Sequence, residues 1–181
     1  FIIRKRTQSK MNNRSDNELL DLCESDDLSL GALQEIINRL GPRVSSQNPS
    51  CFHRACFNKK ITLEIVQLLH SIWPDVLQLR DDDGDLPIHY LCCNEDLDGT
   101  NSLDILRFML EVDPNLPRET NNRGYLPIHD AVDHKSTTFC KELIGAYLES
   151  LRIELNGSLP IHDACRYGNQ VDIVDTIQYM L

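Results

Sequence analysis

One tetrapeptide, Leu-Pro-Ile-His, occurs three times in 181 residues, at Leu86–His89, Leu126–His129 and Leu159–His162. A worn copy runs from Ser50 to His53, and the four histidines are 36, 40 and 33 residues apart. A period of this length marks an array of small supersecondary units. Each unit is too small to bury its own apolar face and must stack on its neighbours. The flanks keep the same register. Gly84, Gly124 and Gly157 stand five residues before the histidines, with Asn48 in the worn copy. Gly, and next Asn, tolerate a positive φ, so this position reads as the bend of a tight turn. Pro87, Pro127 and Pro160 stand two residues before. Proline suits the first turn of a helix, where its missing N–H loses nothing. Ala55, Leu91, Ala131 and Ala164, then Cys56, Cys92, Val132 and Cys165, follow each histidine. Small apolar side chains there let a neighbouring helix approach closely.

Each unit therefore reads as a turn, a short helix opened by proline, a loop and a longer helix. The longer helices show apolar faces at helical spacing. These are Ile61, Ile65, Leu68, Leu69 and Ile72, then Leu103, Ile105, Leu106, Met109 and Leu110. Phe139, Leu143, Tyr147 and Leu148 form a third, and Val171, Val174 and Ile177 begin a fourth. Pro74 and Pro114 stop the first two. The segments Val76–Asp85 and Asn115–Tyr125 are then expected as extended, hairpin-like turns. Asp16–Leu40 reads as an amphipathic helix pair, with Leu19, Leu20, Leu22 and Leu28, then Leu33, Ile36, Ile37 and Leu40.

The run Asp83-Gly84-Asp85-Leu86-Pro87-Ile88-His89 resembles the ankyrin turn-and-helix signature, and His162-Asp163-Ala164-Cys165 continues it. Gly168-Asn169-Gln170-Val171-Asp172-Ile173-Val174 is similar to the loop into the family's second helix, and Leu63-Glu64-Ile65-Val66 to that helix itself. The resemblance covers residues from about 48 to 181. It implies an all-α ankyrin-repeat solenoid of stacked helix-turn-helix units with short hairpin-like turns. The expected division is a basic disordered tail at 1–15, an atypical capping helix pair at 16–47, and four repeats at about 48–83, 84–123, 124–156 and 157–181. Two departures stand out. The family usually carries Thr before the proline, where it caps the helix and bonds the His ring. Leu86, Leu126 and Leu159 can do neither, so a cap is expected from backbone or from neighbours such as Asp85 and Ser158. The second and third units exceed the usual length of about 33 residues. In the second, the excess falls in the loop around Asn94–Asn101.

Charge narrows the partners. The net charge is −10, but the five basic residues before Asp16 (Arg4, Lys5, Arg6, Lys10, Arg14) face no acid there. The remainder carries 13 basic and 28 acidic residues, a balance of −15. That argues against nucleic acid and favours a basic or mixed protein surface. No apolar run approaches membrane-spanning length, so no membrane insertion is expected. Phe1-Ile2-Ile3 is too short for a signal-peptide core. A chain opening on Phe1 is expected of a fragment or a processed form. Seven Cys without an export signal point to reduced thiols and an intracellular setting, cytoplasmic or nuclear.

The recurring His-x-x-Cys spacing (His53/Cys56, His89/Cys92, His162/Cys165) invites a zinc reading. Each unit offers only two ligands, however, and successive units stack roughly 10 Å apart. Val132 replaces the thiol in the third unit. The cysteines, with Cys93 and Cys140, are therefore expected as small hydrophobes, and no metal or other cofactor is expected. A catalytic histidine has no need of four copies. His129-Asp130 and His162-Asp163 are adjacent on a helix and point apart. There is no nucleophile elbow or phosphate loop, so no enzyme is expected. His53, His89, His129 and His162 are expected as framework, with Gly84, Gly124, Gly157, Pro87, Pro127 and Pro160. The resemblance implies that partners lie on the concave face of the short helices and on the turn tips. The positions expected there are Arg54 and Asn58; Tyr90 and Asn94; Asp130, Asp133 and His134; Asp163, Arg166 and Tyr167; and the tip Asp81, Asp82 and Asp83. Tyr and Arg are frequent anchors of interfaces. The expected function is a non-catalytic, monomeric scaffold for an unidentified protein. The alternative is a regulatory array of a larger protein, such as a kinase or channel, whose effector domain lies outside this chain.

Overall fold

The computed structural model describes residues 14–41, 50–167 and 173–181, without the side chains of residues 14–17, 167 and 173. Residues 1–13 of the basic head, Asn48, the Gly168–Val171 loop and the Tyr167 side chain lie outside the described residues, and Arg14 and Ser15, expected in the tail, open the first helix. Ten α-helices occupy the described chain in two layers. The first layer holds α1 (Arg14–Glu24), α3 (Cys51–Phe57), α5 (Pro87–Cys93), α7 (Pro127–His134) and α9 (Pro160–Tyr167). The second holds α2 (Leu30–Leu40), α4 (Leu63–Ile72), α6 (Gly99–Val112), α8 (Thr137–Ala146) and α10 (Ile173–Met180). Within each layer a helix packs on the one two earlier in the chain. There is no strand among the described residues, only an isolated bridge between Leu155 and Ser158. The chain is an all-α solenoid.

The local signals act where the sequence places them. α5, α7 and α9 each begin on their proline. The second-layer helices are capped by side-chain oxygens: Ser29 accepts from the Ala32 N–H, Thr62 from Ile65 and Ser136 from Phe139. The core runs unbroken through the stack, with Phe52, Ile65, Ile88, Ile105, Ile128 and Phe139 nearly fully buried. A buried side chain of this size contributes about 1.5–3 kcal/mol, so each unit is held mainly by what its neighbours cover.

The turns are hairpin-like at their tips. The Asp81 N–H donates to the Asp85 carbonyl at 3.1 Å, and Asn121 to Tyr125 at 3.0 Å. Gly84 has φ 76°, and a Cβ there would lie 2.8 Å from the Asn122 backbone nitrogen. This glycine is therefore required by both conformation and close approach. The Asn122 N–H donates to the Asp83 carbonyl at 3.0 Å, joining adjacent tips.

Several sequence expectations are corrected. The segments after Pro74 and Pro114 are not extended from the outset. Each opens with a 3-10 turn, Val76–Gln78 and Leu116–Arg118, because Val76 and Leu77, then Leu116 and Pro117, turn into the core. The excess of the second unit is only partly loop. Asp98 accepts from the Thr100 and Asn101 N–H groups, and this cap starts α6 at Gly99. α8 stops at Ala146, which leaves Leu148 beyond the helix and 63% exposed. On α10, Val174 is 68% exposed, and Thr176, Ile177 and Met180 face inward instead.

Candidate functional site: the first-helix face

The histidines are consumed by the frame. The Leu86 N–H donates to His89 Nδ1 at 3.1 Å, so the proton of the neutral ring sits on Nε2. That Nε2–H donates to the Tyr125 carbonyl of the next turn at 3.1 Å. His129 repeats the pattern with Leu126 at 3.1 Å and with Ile153 at 3.3 Å. The cap comes from backbone, one of the two sources expected, and not from Asp85 or Ser158: the His89 N–H donates to the Leu86 carbonyl at 2.9 Å and the His129 N–H to that of Leu126 at 3.0 Å, while the ring adds the reciprocal bond. Leucine has no acceptor to offer, while Asp85 accepts from Asn121 and the Ser158 hydroxyl donates to Asp163 at 2.8 Å. In the worn copy only the forward link survives: His53 Nε2 lies 2.9 Å from the Leu79 carbonyl and 3.2 Å from that of Asp85. Burial lowers the pKa of His53, His89 and His129, against the nearby carboxylates and carbonyls that favour protonation. His162 accepts from the Leu159 N–H at 3.0 Å, but its ring is exposed.

Two residues expected on the binding surface prove to be framework. Asn94 is 2% exposed, and its amide donates to the Cys56 and Asn58 carbonyls at 3.0 and 3.3 Å. Asn58 donates in the same way to Cys23 and Ser25 at 2.9 and 2.7 Å. Each amide satisfies the carbonyls at the end of the preceding first-layer helix. Their shared place five residues after the histidine was a register signal that marks them as framework. Lys135 was not singled out by any pattern. It is 5% exposed, its ammonium donates to the Asn94 carbonyl, and burial lowers its pKa.

The position immediately after the histidine lies on the first-layer helices and reads Arg, Tyr, Asp and Asp in successive units. Arg54 is exposed and pairs with Glu24 at 3.2 Å. Tyr90 is half-buried and donates to Asp81 at 2.7 Å, with its ring edge-on to His53 and Phe57 at 5.3 and 6.4 Å. Asp130 is 6% exposed. Burial, with the Asp85 carboxylate adding to it, pushes its pKa up to about 7, against Arg123 and a hydrogen bond from the Cys93 thiol. Asp163 is half-buried beside Ser158.

One turn further along, burial and then Asp163 raise Asp133 to about 6, and its Oδ1 is buried without a hydrogen-bond partner. His134 lies 3.8 Å from Glu95. Arg166 is exposed. At the tip, Asp81 is internal: its Oδ1 accepts from the Asp83 and Asp85 N–H groups at 2.9 and 2.8 Å. Asp82 and Asp83 are exposed. The structure thus brings Tyr90, Asp130, Asp133 and Asp163 onto three neighbouring helices of one face.

The thiols follow the packing reading with two exceptions. Cys56 and Cys92 are fully buried and Cys140 nearly so, whereas Cys93 is partly exposed and bonds Asp130, and Cys165 is exposed on α9. Among the described residues, no three His, Cys, Asp or Glu side chains gather as a metal site, and no helix is long and apolar enough to cross a membrane.

Comparison with known proteins fits this architecture. The family described as ankyrin repeats (3 copies) matches residues 52–150, more than half of the chain. A relative from Caenorhabditis elegans, the ANK repeat-containing protein nipk-1, is 33% identical over 102 residues. Those residues are 54% of this chain and 17% of that protein, so the chain spans under a fifth of the relative's length. Ankyrin repeats are general protein–protein interaction modules. On the repeat register, the stacked helix pairs and the family match together, the chain belongs to the ankyrin-repeat family.

Proposed function

We propose that the chain is a non-catalytic, monomeric, intracellular array that binds a partner protein on the concave first-helix face and the turn tips. The observation that carries this reading is the contrast between two adjacent positions. His89 and His129 do the same structural work in successive units, while the next residue is Tyr90 in one and Asp130 in the other. A fixed frame with side chains that change beside it is how one scaffold serves a particular partner. The binding set is Arg54, Tyr90, Asp130, Asp133, His134, Asp163, Arg166 and Tyr167, with Asp82 and Asp83 at the tip. Residues 16–47 serve as the capping pair, followed by four units from about residue 48.

The test is a photoreactive residue placed at Arg54, Tyr90 or Arg166, compared with one at Arg107 or Glu111 on the second layer. Cross-links to one protein from the first set alone are expected. Cross-links confined to the second set would sink the placement. A second reading, a regulatory array within a longer protein, is favoured by the 17% coverage of the nematode relative. A transcript that continues in frame into an effector domain would support it, and a stop codon just after Leu181 would count against it.

A further inference from the structure

We propose that a further helix-turn-helix unit of the same kind, carried by the polypeptide that follows Leu181, stacks on α9 and α10 and accepts a hydrogen bond from Nε2 of His162. Three units agree in how they meet the next one, and the fourth presents the same residues uncovered. His53, His89 and His129 are buried, and so are the residues three further on, Cys56, Cys92 and Val132. On α9 the same two positions, His162 and Cys165, are exposed. Leu159 and Ile161 are partly open, where Leu86, Leu126, Ile88 and Ile128 are buried. On and after α10, Val174 and Leu181 are exposed as well.

The histidine specifies what fits there. Nε2 of His53, His89 and His129 each meets a carbonyl of the following turn, 26, 36 and 24 residues further along the chain. Nδ1 of His162 accepts from the Leu159 N–H at 3.0 Å, as Nδ1 of His89 does from Leu86. That bond leaves the proton of the neutral ring on Nε2. The Nε2–H of His162 has no acceptor among the described residues. The same offsets place its acceptor at about 186–198, past Leu181. The donor half of an inter-unit link is thus already set, with its tautomer fixed by the same contact as in the covered units.

The two ends of the array differ. α1 and α2 bury Leu19, Leu33 and Ile36 and expose chiefly polar side chains, among them Asp21, Glu24, Glu35 and Arg39. A polar outer surface is what a terminal unit needs. A second copy stacked head to tail would set Val174 and Leu181 against that charged cap. A further unit brings both an apolar first helix to cover them and the turn carbonyl that His162 lacks.

The test compares the 181-residue chain with one extended by its own gene through one more period, about 33 residues. Maleimide labelling of Cys165, read by peptide mass mapping, is expected to be at least about tenfold slower in the extended chain. Cys165→Glu is expected to leave the melting temperature of the 181-residue chain unchanged and to lower that of the extended chain, where it buries a charge. Equal labelling of Cys165 in the two chains would overturn the proposal, as would a stop codon directly after Leu181. So would a dimer of the 181-residue chain in which Cys165 is protected, since a second copy would then be the occupant. Cys165 is outside the proposed binding set, so failure here leaves the first-helix face standing.

Discussion

At the scale of single residues, each buried histidine is defined by which nitrogen holds its proton. Nδ1 of His89 accepts and Nε2 donates, so the ring joins its own helix start to the next turn only while neutral. Replacing His89 by Ala removes both bonds and strands buried partners, an expected loss of roughly 2–4 kcal/mol in urea unfolding. Its pKa is depressed in the fold, as are those of His53 and His129. Their contribution is therefore complete above the unfolded value near 6.5 and is lost as pH falls through the lower folded values.

Asp130 works in the opposite direction. Its folded pKa of about 7 lies above the unfolded 3.8. Stability from this group is complete below pH 4 and declines as pH rises toward and through 7. Asp130→Asn is thus expected to raise the melting temperature at pH 8, by about 2–4 °C per kcal/mol recovered, with little change at pH 4. Calorimetry at both pH values checks the sign. The framework role of the histidines was legible in their repetition. The role of Asn94 was carried only by the register it shares with Asn58, because an amide facing a neighbour's carbonyl and one facing solvent otherwise look alike in sequence.

At the scale of elements, caps and turns decided what periodicity left open. The apolar pattern located α6, but its start depends on a single Asp98 carboxylate reaching two N–H groups. Asp98→Ala is expected to cost about 1 kcal/mol, with faster amide exchange confined to the first turn of α6. Gly84→Ala is expected to cost more than the roughly 1–2 kcal/mol of a left-handed L-residue, since its Cβ would press on Asn122. The end of α8 was misplaced because Leu148 continues the apolar spacing, although the chain has already turned after Ala146. The 3-10 turns were missed for a related reason: three residues are too few to show a period.

At the scale of the whole molecule, the main helix contacts among the described residues join each unit to its neighbours. Stability should then be distributed along the array, with α5 and α7 exchanging most slowly because both their flanks are covered. α9 and α10 should exchange faster, consistent with the exposed His162, Cys165 and Val174. The fold was legible because repetition multiplies a weak local signal. The binding face was legible only as the positions where repetition fails, and burial then divided those positions into frame and surface.

The division between frame and surface is tested most directly by measuring partner affinity and melting temperature together for His129→Gln and Asp133→Asn. His129→Gln is predicted to lower the melting temperature while the folded fraction keeps its affinity. Asp133→Asn is predicted to keep or raise the melting temperature and to weaken binding. The reverse pattern, with binding lost through His129 in a stable chain and untouched at Asp133, would contradict the account.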